Sequence, residues 1–388
     1  MKITAVVCEY NPFHFGHEYH ISEIKKNSDA VIAVMSGSFT QRGTPAVVSK
    51  YLRARAAVCA GADLVLELPF PFSAASAEYF ARGGIDIAEK SGVVSEISFG
   101  SENADINTLR KAAENTYSEN FINALKSASE ESRGEHFGRM YFSVYRSLFG
   151  ETDIFDGSNN ILAIAYLREL MRRKSDISAH TVKRVGAAYN DKCGNGFLSA
   201  SAIREKLAAG EHVSLPAESE KIIFECAKRG EIARYENLFR PFAAFLRTAK
   251  AADISGFHEM NDEIASRLVC SAKKATGMDM LIESAKTKSY SASRIRRALL
   301  FSFLGIKESD FSSADFTYLL AANETGRAVL SDINKKGGLF VLTKPADYRQ
   351  SPFSADYEKS LRAEALWTLA LDAPAPADFL LKSKPYIK

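Results

Sequence analysis

The stretch Glu9-Tyr10-Asn11-Pro12-Phe13-His14-Phe15-Gly16-His17 decides the fold. It follows a short apolar run, Lys2–Cys8, and precedes a helical pattern at about 17–26, so it is the turn from a first strand into a first helix. Its core is H-x-G-H. At such a turn the free N–H groups and the positive helix end make an anion site. Gly16 lets a phosphate or an adenine plane come close to the backbone. His14 and His17 occupy adjoining positions of the first turn, so both imidazoles can face the same oxygens. Two donors beside the phosphates would stabilise the charge that develops as pyrophosphate leaves. Pro12 restrains the chain ahead of the turn. Two histidines in an ordinary loop are the bland alternative, and the strand–turn–helix setting is what favours the chemical reading. His20 shares a face with His17, Ile21 and Ile24 and reads as a histidine at the edge of the core.

Working outward, further apolar runs stand at Ala30–Met35, Asp63–Leu68 and Ser95–Phe99, with a weaker one at Ile177–Arg184. Between them lie helical patterns at about 17–26, 49–60, 73–90 and 105–127, then one at 160–173. Continuous apolar runs without alternation suggest strands buried on both faces of a parallel sheet. Strand and helix in alternation predict an α/β fold with a doubly wound parallel sheet. In such sheets the ligand sits beyond the carboxyl ends of the strands, where strand order reverses.

Beyond about 210 helical periodicity dominates, at 218–229, 258–275, 293–304 and 357–371, with one strand expected at Leu339–Thr343. Leu215-Pro216 and Phe239-Arg240-Pro241 read as breakers. The expected division is therefore 1–210, a nucleotide-binding catalytic domain, and 211–388, a mainly helical domain. The Pro/Ala-rich run Asp372–Asp378 reads as a loosely attached crossing segment.

Composition narrows the class. The 388 residues are 46% hydrophobic and 25% charged, an ordinary globular balance with no stretch long and apolar enough to span a membrane. The first residues lack the charged lead and apolar core of a signal peptide. Five scattered cysteines without a C-x-x-C pair argue against a disulfide framework or a zinc site and predict a reducing cytoplasm. The net charge of +3 is small but uneven. Residues 171–206 hold eight Lys/Arg against three Asp/Glu; Lys286, Lys288, Arg294, Arg296 and Arg297 stand within 284–300 with no acid. Two basic clusters suit a polyanion, although a solvated helix face would look similar.

Other strand ends supply candidate groups. Ser36-Gly37-Ser38-Phe39-Thr40-Gln41-Arg42-Gly43 could receive a small substrate or an RNA end. Gly100 would allow close approach of a nucleoside. Asn159 reads as the N-cap of the helix at 160–173 and could also read a base edge or ribose. Arg184 ends the fifth strand and could meet a phosphate bidentately. Ser199, Ser201 and Arg204 open a helix and suit the β- and γ-phosphates of a triphosphate. A similar run, Ser291–Arg296, lies in the second basic cluster.

H-x-G-H after an N-terminal strand, plus a late Ser-x-Ser-x-Ile-Arg helix start, resembles the nucleotidyltransferase superfamily related to class I aminoacyl-tRNA synthetases. More narrowly, the chain resembles the bacterial tRNA(Met) cytidine acetate ligase family. Glu9–His17, Met35–Gly43, Leu68-Pro69-Phe70, Ser76–Phe80, Asn159–Leu162 and Lys286–Arg297 carry that resemblance. Cys8, Phe15 and Ser158 depart from the family's more usual residues. The resemblance implies that ATP and acetate give acetyl-AMP and pyrophosphate, and that the acetyl group passes to N4 of the wobble cytidine of elongator tRNA(Met). It implies ATP contacts along Val7-Cys8-Glu9-Tyr10-Asn11-Pro12-Phe13-His14-Phe15-Gly16-His17-Glu18-Tyr19-His20, and at Gly100, Asn159 and Arg184. Mg2+ would accompany ATP, with no metal site in the protein, and the basic run Lys286–Arg297 would hold the tRNA. A small-molecule nucleotidylyltransferase is the alternative, but it leaves the helical half without a role. An RNA-binding protein with a vestigial nucleotide site is opposed by the intact histidines.

Overall fold

The computed structural model describes residues 1–102, 105–131, 137–183 and 198–388. Arg184 and Cys193 lie outside them. The central strands form where the sequence is apolar on both faces: β1 (Ile3–Cys8), β2 (Ala30–Ser36) and β3 (Leu64–Leu68), with every residue of β2 and β3 buried. β4 (Glu96–Ser101), β5 (Ser178–Lys183), β6 (Phe316–Ala322), β7 (Phe340–Leu342) and β8 (Tyr386–Ile387) complete the strands of the described residues. The order across the sheet is β5-β4-β1-β2-β3-β6-β7, with β8 beside β6. All pairs are parallel except β3 with β6. From β1 the chain runs outward through β2 and β3, then returns to β4 on β1's other side. The strand order therefore reverses between β1 and β4, which sets the crevice at their carboxyl ends.

The helices that first follow the strands are α1 (Phe15–Lys25), α2 (Lys50–Cys59), α3 (Ala77–Lys90), α4 (Ile106–Tyr117), α5 (Glu119–Glu131), α6 (Phe137–Phe149) and α7 (Ser158–Arg173). α8 (Ala200–Ala208), α9 (Ala217–Arg229), α10 (Phe239–Thr248), α11 (Ala251–Ile254), α12 (Asp262–Ala272), α13 (Met278–Ala285) and α14 (Ala292–Leu304) come next, then α15 (Glu324–Lys336) and α16 (Ser354–Thr368). The helix expected at 105–127 is two, because Ser118 turns extended and its hydroxyl accepts from Phe121 N at 3.3 Å. The one expected at 258–275 begins only after Asn261, whose Oδ1 accepts from Ile264 N at 2.8 Å. Phe239-Arg240-Pro241 does not break a helix but starts one, since proline is tolerated in the first turn.

The sheet is not confined to residues before 210. β6, from the second half, pairs antiparallel with β3 through Leu64↔Ala322 and Val65↔Ala321. Phe316–Ala322 carries no alternation because it is buried throughout. It is an apolar run of the same kind as β2 and β3, though no strand is expected there among the helical patterns, and its partner lies about 250 residues earlier. The join is sealed by a buried charge cluster. Lys50 Nζ donates to Glu67 Oε2 at 2.6 Å and also to Glu364 Oε1, uniting α2, β3 and α16. Burial works against the Lys50 ammonium, but Glu364 and Glu67 outweigh it and hold Lys50 protonated well above its ordinary range. The crossing segment after Leu371 is tied down: Asp372 N and Ala373 N donate to Ile232 O and Gly230 O at 2.9 and 2.8 Å. Its continuation supplies β8.

Candidate functional site

The spacing of the two histidines has a local structural cause. His14 is the N-cap of α1 and His17 its third residue, and the two form a reciprocal capping box. Gly16 N donates to His14 Nδ1 at 3.1 Å, and His14 N donates to His17 Nδ1 at 3.2 Å. With each Nδ1 accepting, the ring proton of each neutral imidazole sits on Nε2. The rings stack with centroids 3.7 Å apart and planes 25° from parallel. Two Nε2–H donors are therefore held side by side at the positive end of α1.

The turn that carries them is buttressed from below. Tyr10 adopts φ +47°, and the Asn11–Pro12 peptide is cis. Tyr10 and Phe13 are buried and pack against the His17 ring at 4.8 and 5.6 Å. Burial pushes the Tyr10 hydroxyl and the Cys8 thiol well above their usual ranges, so neither ionises near neutral pH. Val7 packs on Gly84 of α3. Asn11 Oδ1 accepts from Val47 N at 2.8 Å, and Phe13 O accepts from Ser219 Oγ at 2.7 Å. Glu9 Oε1 accepts from Gln41 N at 2.8 Å, which joins the first loop to the loop after β2. Glu18 and Tyr19 lie on α1 beyond the turn, and His20 Nε2 bonds Ser98 Oγ at 2.9 Å, at the edge of the core as expected.

Across the crevice, Gly100 lies inside the carboxyl end of β4, opposite Val182, rather than after the strand. Asn159 is not the N-cap of α7; Gly157 is. The capping is done by Glu102, whose carboxylate accepts from Asn159 N at 3.3 Å, Asn160 N at 2.9 Å and Asn159 Nδ2 at 2.6 Å. A carboxylate from the end of β4 does there what a capping side chain on the helix usually does.

The helix start at 199–204 arrives beside the first loop. Ser199 caps α8, its Oγ accepting from Ala202 N at 3.2 Å. Arg204 Nη1 donates to Asn11 O at 2.7 Å, while Arg204 Nη2 and Arg42 Nη1 both donate to Ser201 Oγ, at 3.1 and 3.2 Å. A cavity of about 290 Å³ opens here, lined by His14, Phe15, Leu198, Ile203, Lys206 and His212 among others. Arg42 is legible only as the one cation of its loop and Lys206 only as one of the eight cations of 171–206, while Glu102 has no local signal. Among the described residues, no group of three or more His, Cys, Asp or Glu side chains is placed to hold a metal ion.

The second basic run divides. α14 starts at Ala292 behind Ser291, whose Oγ accepts from Arg294 N at 3.4 Å. Arg294 and Arg296 lie over Tyr290 and Tyr235, at 5.0 and 5.6 Å from the ring centroids. Lys286 pairs with Glu283 at 3.0 Å, and Lys288 is exposed. Arg297 departs from the expected row of phosphate contacts. Its Nε donates to both oxygens of Glu259, at 2.8 and 2.9 Å, and its backbone lies under Gly43. It is an internal ion pair that supports the loop after β2.

An anion-ready helix start with two Nε2–H donors, at the switch point of a parallel sheet, defines a nucleotidyltransferase. The family model of the HIGH Nucleotidyl Transferases matches residues 1–379. The tRNA(Met) cytidine acetate ligase of Acetivibrio thermocellus is 35% identical over 376 residues, 90% of each chain. The Thermoanaerobacter enzyme of the same name is 34% identical over 95% of this chain and 96% of its own. The crystal structure of apo Thermotoga maritima TmcAL superposes with a TM-score of 0.92 at 29% identity, covering 100% of this chain and 99% of that one. The same protein bound with alpha-thio ATP gives 0.90 at 28% identity, with the same coverage. The chain belongs to the HIGH nucleotidyltransferase family, within its tRNA(Met) cytidine acetate ligases.

Proposed function

We propose that this chain is an ATP-dependent ligase that activates acetate as acetyl-AMP and transfers the acetyl group to N4 of the wobble cytidine of elongator tRNA(Met). The observation that carries the reading is the stacked His14–His17 pair at the carboxyl ends of β1 and β4, in a chain similar along its length to enzymes named for this reaction.

In the first step a carboxylate oxygen attacks the α-phosphorus of ATP, and the bond from that phosphorus to the bridging oxygen breaks. The Nε2–H groups of His14 and His17 donate to the oxygens on which charge grows as pyrophosphate leaves. Arg204, Ser201 and Arg42 stand on the side where the β- and γ-phosphates would extend, and Mg2+ would be carried on those phosphates. Gly100, at the carboxyl end of β4, and Asn159, at the start of α7, would meet the nucleoside. Adenylation is needed because free acetate is a poor electrophile, and AMP gives the carbonyl carbon a good leaving group. In the second step N4 attacks that carbon, AMP departs, and N4 gives up a proton.

The tRNA is held by phosphate contacts from Lys286, Lys288, Arg294 and Arg296, next to the loop after β2. Free cysteines at positions 8, 59, 226 and 270 fit a reducing compartment. ATP–pyrophosphate exchange measured with and without acetate tests the first step. Mass spectrometry of tRNA(Met) tests the second. Alanine at His14 or His17 is expected to slow exchange roughly a hundredfold while the KM for acetate moves little. Exchange that is indifferent to acetate would point to a plain nucleotidylyltransferase.

A further inference from the structure

Arg53, on α2, is only 1% exposed and, among the described residues, makes no ion pair that accounts for its burial. Its guanidinium spends its donors on three main-chain carbonyls. Nη1 donates to Glu9 O at 2.6 Å, Nε to Val48 O at 3.1 Å, and Nη2 to Gly37 O. Glu9 is the first residue after β1, Gly37 the first after β2, and Val48 closes the loop between β2 and α2. One planar group thus ties the carboxyl ends of two adjacent parallel strands to the return of the second loop. Burial pushes the guanidinium down to about 10, yet it stays charged at neutral pH.

We infer that Arg53 is a positioning residue for adenylation: it sets the spacing between the H-x-G-H loop and the loop Ser36–Gly43. The inference rests on the ligase reading for its kinetic consequence and on geometry for the rest. Neighbouring contacts act with it. Gln41 N on Glu9 Oε1 and Val47 N on Asn11 Oδ1 stitch the same two loops, and Gly37 lies against the Glu67 carboxylate with no space for a side chain. The first loop holds the histidines that meet the phosphates. The second leaves the carboxyl end of β2, the strand paired with β1, and would hold the attacking carboxylate or the incoming cytidine. A planar fork is needed because the three carbonyls are met by three separate nitrogens of the guanidinium, whereas an ammonium's donors all leave from one nitrogen.

The chain carries its own reporter. Its single tryptophan, Trp367, donates Nε1–H to Ala46 O at 2.7 Å, two residues before Val48. Arg53→Ala and Arg53→Lys should be compared with wild type for thermal melting, Trp367 emission, ATP affinity by calorimetry and acetate-dependent exchange. Both variants are expected to lose roughly a hundredfold in exchange rate, as for an ångström-scale misplacement of reacting groups, while ATP affinity moves far less. Trp367 emission should shift in the Ala variant. Millimolar guanidinium should restore emission and exchange in Arg53→Ala; methylammonium should not. Wild-type emission and wild-type exchange in both variants would overturn the inference. So would losses that merely follow the unfolded fraction and resist guanidinium. If wild type itself shows no acetate-dependent exchange, the ligase reading fails, and emission with its guanidinium rescue still decides the role of Arg53.

Discussion

Gly16 carries a hydrogen where a methyl group would lie 2.9 Å from His14 Cε1 and 3.1 Å from its Nδ1. The glycine therefore keeps room for the His14 ring, besides the room it would give a ligand. Any side chain there pushes the His14 ring off the Gly16 N–H and out of its stack on His17. Gly16→Ala is expected to weaken ATP binding at least severalfold in calorimetry and to leave the melting temperature close to wild type, because φ at this position needs no glycine. Unchanged affinity would mean that the His14 ring is not part of the nucleotide site. The histidines also show how one spacing can satisfy two demands. Positions N-cap and N3 are those at which side chains can cap a helix reciprocally, and they are also those at which two rings can stack over its end.

At the scale of elements, α7 is anchored at both ends by charge. Its start is capped by Glu102 from β4, and its last turn is joined to α3 by Arg173, which reaches Asp86 at 2.8 Å and Glu89 at 3.1 Å. Burial works to raise the Glu169 carboxyl, but hydrogen bonds from Arg172 and Arg173 outweigh it and hold the group below the usual range. A depressed carboxylate contributes stability that is present above its unfolded pKa, about 4.3, and is lost as pH falls through the folded value. Melting temperatures taken from pH 6 downward are therefore expected to fall below about pH 4.3 less steeply in Glu169→Gln than in wild type, with the variant less stable at neutral pH. α14 makes a separate claim. Lys288→Ala with Arg294→Ala should weaken tRNA binding and flatten its salt dependence by about one phosphate per cation removed, and exchange without tRNA should hold. Arg297→Ala should behave differently, lowering stability through Glu259 and the loop at Gly43 rather than through RNA. A salt slope unmoved by the double variant would place the tRNA elsewhere.

Across the whole molecule, the helical half is an integral part of the sheet. β6 covers the edge that β3 would otherwise leave open, and Glu364 of α16 completes the partners of Lys50. Trp367, on the same helix, reaches back to Ala46. Removing Glu364 leaves a fully buried ammonium with one carboxylate. Glu364→Ala is expected to lower unfolding free energy by about 3 kcal/mol, read from urea melts, with loss of exchange following the fraction unfolded. By the same reasoning a fragment ending at 210 should fail to give a cooperative melt. A well-folded fragment would show that the two halves are independent after all.

The first strand, the turn and the start of α1 were legible because each is decided within a few residues: an apolar run, a proline, a glycine and two histidines at capping distance. The same holds for β2, β3 and β4, whose apolar runs need no partner to be recognised, and for the helix starts at Ser199 and Ser291. Hydrophobic periodicity and capping are local, so the sequence by itself determined the class of fold and the H-x-G-H turn. Arg53, Glu102 and Lys50 could not be read that way. Nothing near Arg53 in sequence distinguishes it from Arg55, which pairs with Glu218 and is partly exposed; only the meeting of three loops makes one a clamp. Phe316–Ala322 pairs with a strand far away in the sequence, and Arg297 of the basic run is held by Glu259. Tertiary structure decided these because a buried polar group or an open strand edge takes its partner from whatever the fold brings near, and that partner can lie hundreds of residues away.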